Sequence, residues 1–192
     1  MGKIKKTLTP DEYNQFKQSL LQLPSLINIV LGLSDDVRKI AEFLSECPNT
    51  LFIGRGVMYP TALEGAPKLK EISYIHAEGM AAGELKHGPI SLIEKTFPTI
   101  VLAPSDHLFE KTKSNMVEIQ SRNGPIILLS DADGVENIGE DVNFSLTLPK
   151  VHPLLAPIIY TIPLQLLAYH CGVIKGLDVD NPRHLAKSVT VE

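Results

Sequence analysis

The sequence predicts an open α/β sandwich, a three-layer fold around a mainly parallel five-stranded sheet, preceded by a helical lead-in. Three observations carry this. From Asn49 onward, short apolar runs closed by glycine or proline alternate with stretches of helical periodicity, the pattern of strands joined by crossover helices. The runs are apolar throughout rather than alternating, as expected for strands covered on both faces. The first 46 or so residues carry helical signals alone.

In that lead-in, Thr9-Pro10-Asp11-Glu12 sets a capping residue, a first-turn proline and two acids ahead of a helical pattern expected to run to about Gln22. Pro24 is expected to end it. Leu26 to Leu31 and Val37 to Leu44 then read as two short helices separated by Gly32-Leu33-Ser34. The sandwich proper is expected over 49–192, with strands at Leu51 to Gly54, Tyr74 to Ala77, Thr99 to Ala103, Ile126 to Ser130 and Phe144 to Leu148. Helices are expected at about Pro60 to Ser73, Gly83 to Ile93 with a break at Gly88-Pro89, Asp106 to Arg122, and Leu154 to Lys175. After Gly176 the chain turns polar, with Asp178, Asp180, Asn181 and Pro182 as turn formers, and a tail over 176–192 is expected to wrap over the domain.

A chain of 192 residues suits one domain and can bury roughly 70% of its unfolded surface. Charged residues make up 21% of it and no apolar run is expected to approach the roughly 18 to 20 residues of a membrane span, so a soluble, non-membrane protein is expected. The lysines at positions 3, 5 and 6 are not followed by a signal-peptide apolar run, which makes the cytoplasm the default address. Cys47 and Cys171 stand apart with no CxxC or histidine cluster, and are expected to be buried thiols rather than metal ligands. A net charge of -4 argues against a nucleic-acid surface and for a small substrate.

Three places could carry chemistry. Glu64, Lys68 and Glu71 are spaced i, i+4, i+7 on one helix face, which is either a solvated ion-pair ladder or a carboxylate held beside a cation for proton transfer. The helix starts after a strand end at Gly54-Arg55-Gly56, the edge where parallel sheets bind ligands; that glycine pair is either a plain turn or an anion cradle. His87, in Gly83-Glu84-Leu85-Lys86-His87-Gly88-Pro89, has the side chain best suited to proton exchange near neutral pH. Lys187, near the end, is either a surface lysine or, shielded from water, an amine nucleophile toward a carbonyl. His76, His107, His152 and His170 have no constellation around them and read as structural.

Together these segments resemble one family. Leu63 to Glu78, Gly83 to Pro89, Pro163 to His170, and Asp178 to Glu192 with its Lys-Ser-Val-Thr-Val-Glu terminus are similar to the second sugar-isomerase (SIS) domain of glutamine:fructose-6-phosphate amidotransferases. The resemblance covers Leu51 to Glu192, and the lead-in resembles the helices joining that family's two isomerase domains. It implies a flavodoxin-like SIS fold and a part in making glucosamine 6-phosphate from fructose 6-phosphate and glutamine-derived ammonia, with no cofactor. By resemblance, Glu71 is the proton-shuttling base, His87 the ring-opening acid or base, Lys187 the Schiff-base lysine and Lys68 an assisting charge, while Ala186 meets the sugar through its backbone. It also implies a homodimer in which His87 serves the neighbouring subunit's site.

The family's glutaminase and first isomerase domain have no counterpart in these 192 residues, and no Ser-x-Ser-Gly-x-Thr phosphate loop occurs in them. A half-site is therefore expected. Pro67 also departs from the family pattern, and a kink between Leu63 and Pro67 that re-aims Lys68 is expected. Two further readings are a non-catalytic sugar-phosphate or nucleotide-sugar binding and dimerisation module, and a stand-alone phosphosugar isomerase or deglycase.

Overall fold

A computed structural model describes residues 8–183. The chain runs α1 (Pro10–Leu31), α2 (Ser34–Ser45), β1 (Asn49–Gly54), α3 (Met58–Ser73), β2 (His76–Ala81), two short 3-10 helices (Ala82–His87 and Pro89–Leu92), β3 (Thr99–Leu102), α4 (Phe109–Gln120), β4 (Ile126–Asp131), α5 (Ala132–Ile138), β5 (Phe144–Leu148), a 3-10 turn (Pro153–Leu155) and α6 (Ala156–Ile174). The five strands form one sheet in the order β2-β1-β3-β4-β5, and every neighbouring pair is parallel. The expected fold class and all five expected strands are present, with the second strand starting two residues later than expected.

Strand periodicity divides the core into two layers. Phe52, Ile100, Leu102, Ile127, Leu129, Leu146 and Leu148 face one side, packed with α2, α3 and α6. Leu51, Ile53, Val101, Ile126 and Leu128 face the other, packed with Phe109, Met116 and Ile119 of α4, Ile138 of α5 and Leu85 of the first 3-10 helix. The lead-in helices share the first layer: Val30 of α1 and Val37, Ile40, Ala41 and Leu44 of α2 are buried in it. Gly54 lets α3 start directly off β1, since a Cβ there would lie 2.3 Å from the Met58 carbonyl oxygen.

Three prolines sit inside helices, against the expectation that Pro24 ends α1. That helix starts on the expected capping box, with Glu12 N–H donating to Thr9 Oγ1 and Thr9 N–H to Glu12 Oε2, and runs unbroken through Pro24 to Leu31. The physical reason is location: Pro24 and Leu20, whose carbonyl loses its partner, are both exposed, so water can take the place of the lost bond. The break comes instead at Gly32-Leu33, where α1 and α2 meet at 53°. Helix α3 likewise continues through Pro67, which stands with exposed Leu63 on its outer side, away from buried Ala62, Gly65, Ala66 and Leu69.

The third, Pro163, lies in α6, and here the expectation of no long apolar run needs correcting. Pro153–Ile174 is 22 residues long with a mean hydropathy of 1.4, long and apolar enough to cross a bilayer. Half of it is buried, and Ile159, Tyr160, Leu164, Leu167 and Cys171 fill the core between α2, α3 and the sheet. Packing on several sides explains its apolar character.

Helix α5 has no counterpart among the expected elements. Its start depends on Asp131, whose Oδ1 accepts from Gly134 N–H at 3.2 Å as an N-cap while Oδ2 accepts from Ser105 N–H at 2.8 Å. One carboxylate thus ties the end of β4 to the loop after β3. Burial opposes its ionisation, but these N–H groups and the Lys150 charge outweigh burial and hold the carboxyl below its ordinary range. A depressed carboxyl contributes stability above the unfolded value of about 3.9 and loses it as pH falls through the folded value. Asp131→Asn is therefore expected to cost about 1–3 kcal/mol at pH 7 and less at pH 3. Urea unfolding of both proteins at the two pH values checks this, and an equal penalty at both would refute it.

Candidate functional site

Helix α3 is antiparallel to the strands it covers, starting beyond the carboxyl end of β1 and finishing where β2 begins. This overturns the positional argument for its acidic face. Glu71, in the last turn, stands level with the amino ends of the strands, not at the ligand-binding carboxyl edge near Gly54. What the spacing did foresee is the contact itself. Lys68 Nζ donates to Glu71 Oε2 at 2.9 Å, with both side chains about one-third exposed. The hydrogen bond to Glu71, helped by the charges of Glu71 and Glu64, raises the Lys68 pKa despite partial burial, so Lys68 is a full cation at neutral pH. A carboxylate held by a cation, yet open to solvent, can accept a proton from a bound substrate and return it.

His87 ends the first 3-10 helix, just before Gly88, whose φ of 132° only glycine adopts readily. This is the expected break at Gly88-Pro89, although both segments are 3-10 rather than α-helical. Nδ1 of His87 lies 2.7 Å from Glu84 Oε2, and both side chains are exposed. A carboxylate on one ring nitrogen fixes the ring orientation and leaves Nε2 free to exchange a proton.

The two pairs do not meet. Glu71 precedes β2 and His87 follows it, and the six residues of that strand span about 17 Å. Lys187 and Ala186 lie outside the described residues. The chain leading to them does not: Asp178 Oδ1 accepts from the N–H groups of Asp180 and Asn181, and Arg183 N–H donates to Tyr74 Oη at 2.8 Å. The tail is thus carried to the end of α3 that holds Glu71, a convergence that sequence spacing could not reveal.

At Gly54-Arg55-Gly56 the Arg55 side chain is turned toward Asn115. Arg55 Nε and Nη2 both donate to Asn115 Oδ1, at 3.2 and 2.8 Å, and its guanidinium packs on Gly83. A cavity of ≈ 130 Å³ opens at the carboxyl edge between Ser105, Asp131, Val151 and Tyr160, with the Lys150–Asp133 ion pair at its rim. Of the other histidines, His170 meets Ser34 Oγ at 2.9 Å and His152 packs edge-on against Phe16, both structural contacts. Cys47 and Cys171 are buried free thiols, as expected. Among the described residues no cluster of side chains could hold a metal.

Comparison with known proteins places this arrangement. The SIS domain family model matches residues 43–175. Glutamine--fructose-6-phosphate aminotransferase [isomerizing] of Zymomonas mobilis is 55% identical over 192 residues, all of this chain and 32% of that protein. The protein of the same name from Sphingobium yanoikuyae is 59% identical over 156 residues, 81% of this chain and 100% of its own length. The solved C-terminal domain of glucosamine-fructose-6-phosphate aminotransferase from Francisella tularensis superposes with a TM-score of 0.89 at 44% identity, covering 93% of this chain and 50% of that one. The chain spans about a third of the length of the Zymomonas relative. It belongs to the SIS domain family, in the lineage that forms the C-terminal isomerase region of glutamine--fructose-6-phosphate aminotransferases.

Proposed function

We propose that this chain supplies the second isomerase half of a glucosamine 6-phosphate synthase, acting on fructose 6-phosphate within a homodimer. The observation that carries the reading is the Lys68–Glu71 pair at the end of α3 to which the C-terminal tail is led. In this reading, the Lys187 amine adds to the C2 carbonyl of the open ketose and water leaves; ammonia then adds to that iminium and the Lys187 amine leaves, giving a C2 iminium that acidifies the C1 hydrogen. Glu71 takes that proton from C1 and returns it to C2, while the C1 hydroxyl releases its proton to solvent and becomes the aldehyde. Lys68 is an assisting charge near the enolic intermediate, where it favours negative charge on O1 as the hydroxyl proton leaves. Ala186 contacts the sugar through its backbone. His87, past the far end of β2 from Glu71, opens the ring of sugar bound at the partner subunit's site. The glutaminase that releases ammonia and the loop that anchors the phosphate are assigned to the other two thirds of the enzyme.

The test is conversion of fructose 6-phosphate to glucose 6-phosphate without glutamine or ammonia. It compares the 192-residue chain with the same chain joined to the N-terminal two thirds of the Zymomonas relative. Turnover is expected in the joined protein and none above background in the chain alone, because remote phosphate binding energy contributes to turnover as well as affinity. Turnover by the chain alone would refute the half-site reading, and an inactive joined protein would refute the isomerase role.

A further inference from the structure

We propose that Glu118, in α4, is a positioning residue for His87: through Lys86, and with Asn115 and Arg55 beside it, it fastens the 3-10 helix that carries the imidazole to the rest of the fold. The inference rests on the ring-opening role given to His87 above and adds the side chains that hold that histidine in place.

His87 does not hold its own place. Its side chain is 72% exposed, and its partner Glu84 belongs to the same 3-10 helix, Ala82–His87. The backbone of that helix therefore aims the imidazole. The helix is intrinsically weak, since its six residues exceed the three or four that 3-10 geometry usually sustains. Gly88 follows at φ 132° and brings no side chain to pack against it. Ala82 and Leu85 are buried in the layer that contains Met116 and Ile119 of α4, which seats the helix. Apolar contact is non-directional, so it fixes depth better than orientation.

Orientation comes from polar contacts with α4. Lys86, the residue before His87, places Nζ 2.8 Å from Glu118 Oε1. The Lys86 side chain is exposed, but that of Glu118 is only 21% exposed, so the carboxylate end of the pair is held by the fold. Glu118 Oε2 accepts from Asn115 Nδ2 at 3.4 Å, and buried Asn115 turns Oδ1 to Arg55, whose Nε and Nη2 donate to it at 3.2 and 2.8 Å. Arg55 follows directly on β1, and a Cβ on Gly83 would lie 3.3 Å from its Nη1. The series of contacts that leaves the 3-10 helix at Lys86 thus returns to it at Gly83 and grips both of its ends. Burial opposes ionisation of Glu118, but the hydrogen bonds from Lys86 and Asn115 and the charges of Lys86 and Arg122 outweigh it and hold the carboxyl below its ordinary range. Glu118 therefore meets Lys86 as an anion at neutral pH. A pair with one exposed partner contributes little to stability, and what this one secures is the direction of the residue that follows Lys86.

The experiment gives the joined protein two ketoses, fructose 6-phosphate and its 5-deoxy analogue, which has no C5 hydroxyl to close a furanose ring and so needs no ring opening. Exchange of the C1 hydrogen with solvent is followed for both. Lys86→Met and Glu118→Gln should each lower kcat/KM for fructose 6-phosphate about fivefold, the upper end of what one such pair holds, and leave the 5-deoxy ketose within about twofold of the parent. Lys86→Arg, which keeps the charge and can still reach Glu118, should restore most of the loss. His87→Ala should show the same substrate pattern with a larger effect. Unchanged turnover of fructose 6-phosphate in Lys86→Met, or an equal loss on both ketoses where His87→Ala discriminates between them, would overturn the proposal. Lys86→Met alters an exposed side chain and decides the matter if Glu118→Gln fails to fold. Amide hydrogen exchange over Ala82–His87 in the 192-residue chain separates the two readings: it should quicken about fivefold in Lys86→Met, as local opening becomes easier. Unchanged exchange would overturn the anchoring itself. Quickened exchange, with His87→Ala costing nothing or costing both ketoses equally, would remove the ring-opening role and leave the anchoring of the helix standing.

Discussion

Mixing two inactive variants is expected to restore activity. Glu71→Gln and His87→Ala should each disable the joined homodimer, yet unfolding and refolding the two together should return about a quarter of wild-type isomerase activity. The expectation follows from the strand between them. Glu71 precedes β2 and His87 follows it, and that strand spans about 17 Å, so within one protomer the two residues stand toward opposite edges of the sheet. If each site draws Glu71 from one subunit and His87 from the other, a mixed dimer has one site with both residues intact and one with neither. Random pairing makes half of the dimers mixed, each half active. Isomerisation assayed across a series of mixing ratios checks this. Activity no greater than the sum of the separate variants would show that His87 and Glu71 serve the same protomer, and the proposed dimeric site would fall.

The second large effect is that of Glu71→Gln alone. Glutamine keeps the shape and can still accept the hydrogen bond from Lys68, but it cannot take up a proton. In the joined protein, kcat for isomerisation should fall by about 10²–10⁴, the usual contribution of a positioned proton-transfer group. KM should change little, since a group that acts only in the transition state lowers kcat and kcat/KM together. Steady-state kinetics settle the point, and exchange of the C1 proton with solvent isolates the step: it should slow by the same factor while sugar binding is retained. A rise in KM with kcat preserved would instead make Glu71 a ground-state binding residue. The Lys68 partnership matters to this prediction because its hydrogen bond orients the carboxylate at the end of α3.

The sequence's helical i, i+3 spacing was sufficient to place Lys68 beside Glu71, because the geometry of one helix turn is local. Likewise, Gly88-Pro89 marked the break after His87, since glycine is readily accommodated at φ 132° and proline starts the next 3-10 turn. The strands were visible as apolar runs because both faces of β1, β3 and β4 are buried. Local reasoning failed where the outcome depended on which side faced water. Pro24 and Pro67 stay within their helices because they lie on outward sides, and a helical wheel without a core cannot show that. It failed also at α5, whose N-cap Asp131 is held at the same time by Ser105 N–H, a contact across 26 positions.

By itself, the sequence determined the α/β class, the strand set, the kinship of its motifs and the residues able to do proton and carbonyl chemistry, because these follow from periodicity and side-chain type. Only the tertiary structure decided where those residues stand. Parallel strands force α3 to run back along the sheet, which puts Glu71 at the amino edge and His87 at the carboxyl edge. The turn at Gly176 and the contact of Arg183 with Tyr74 return the chain to the residue that caps α3, more than a hundred residues away in sequence.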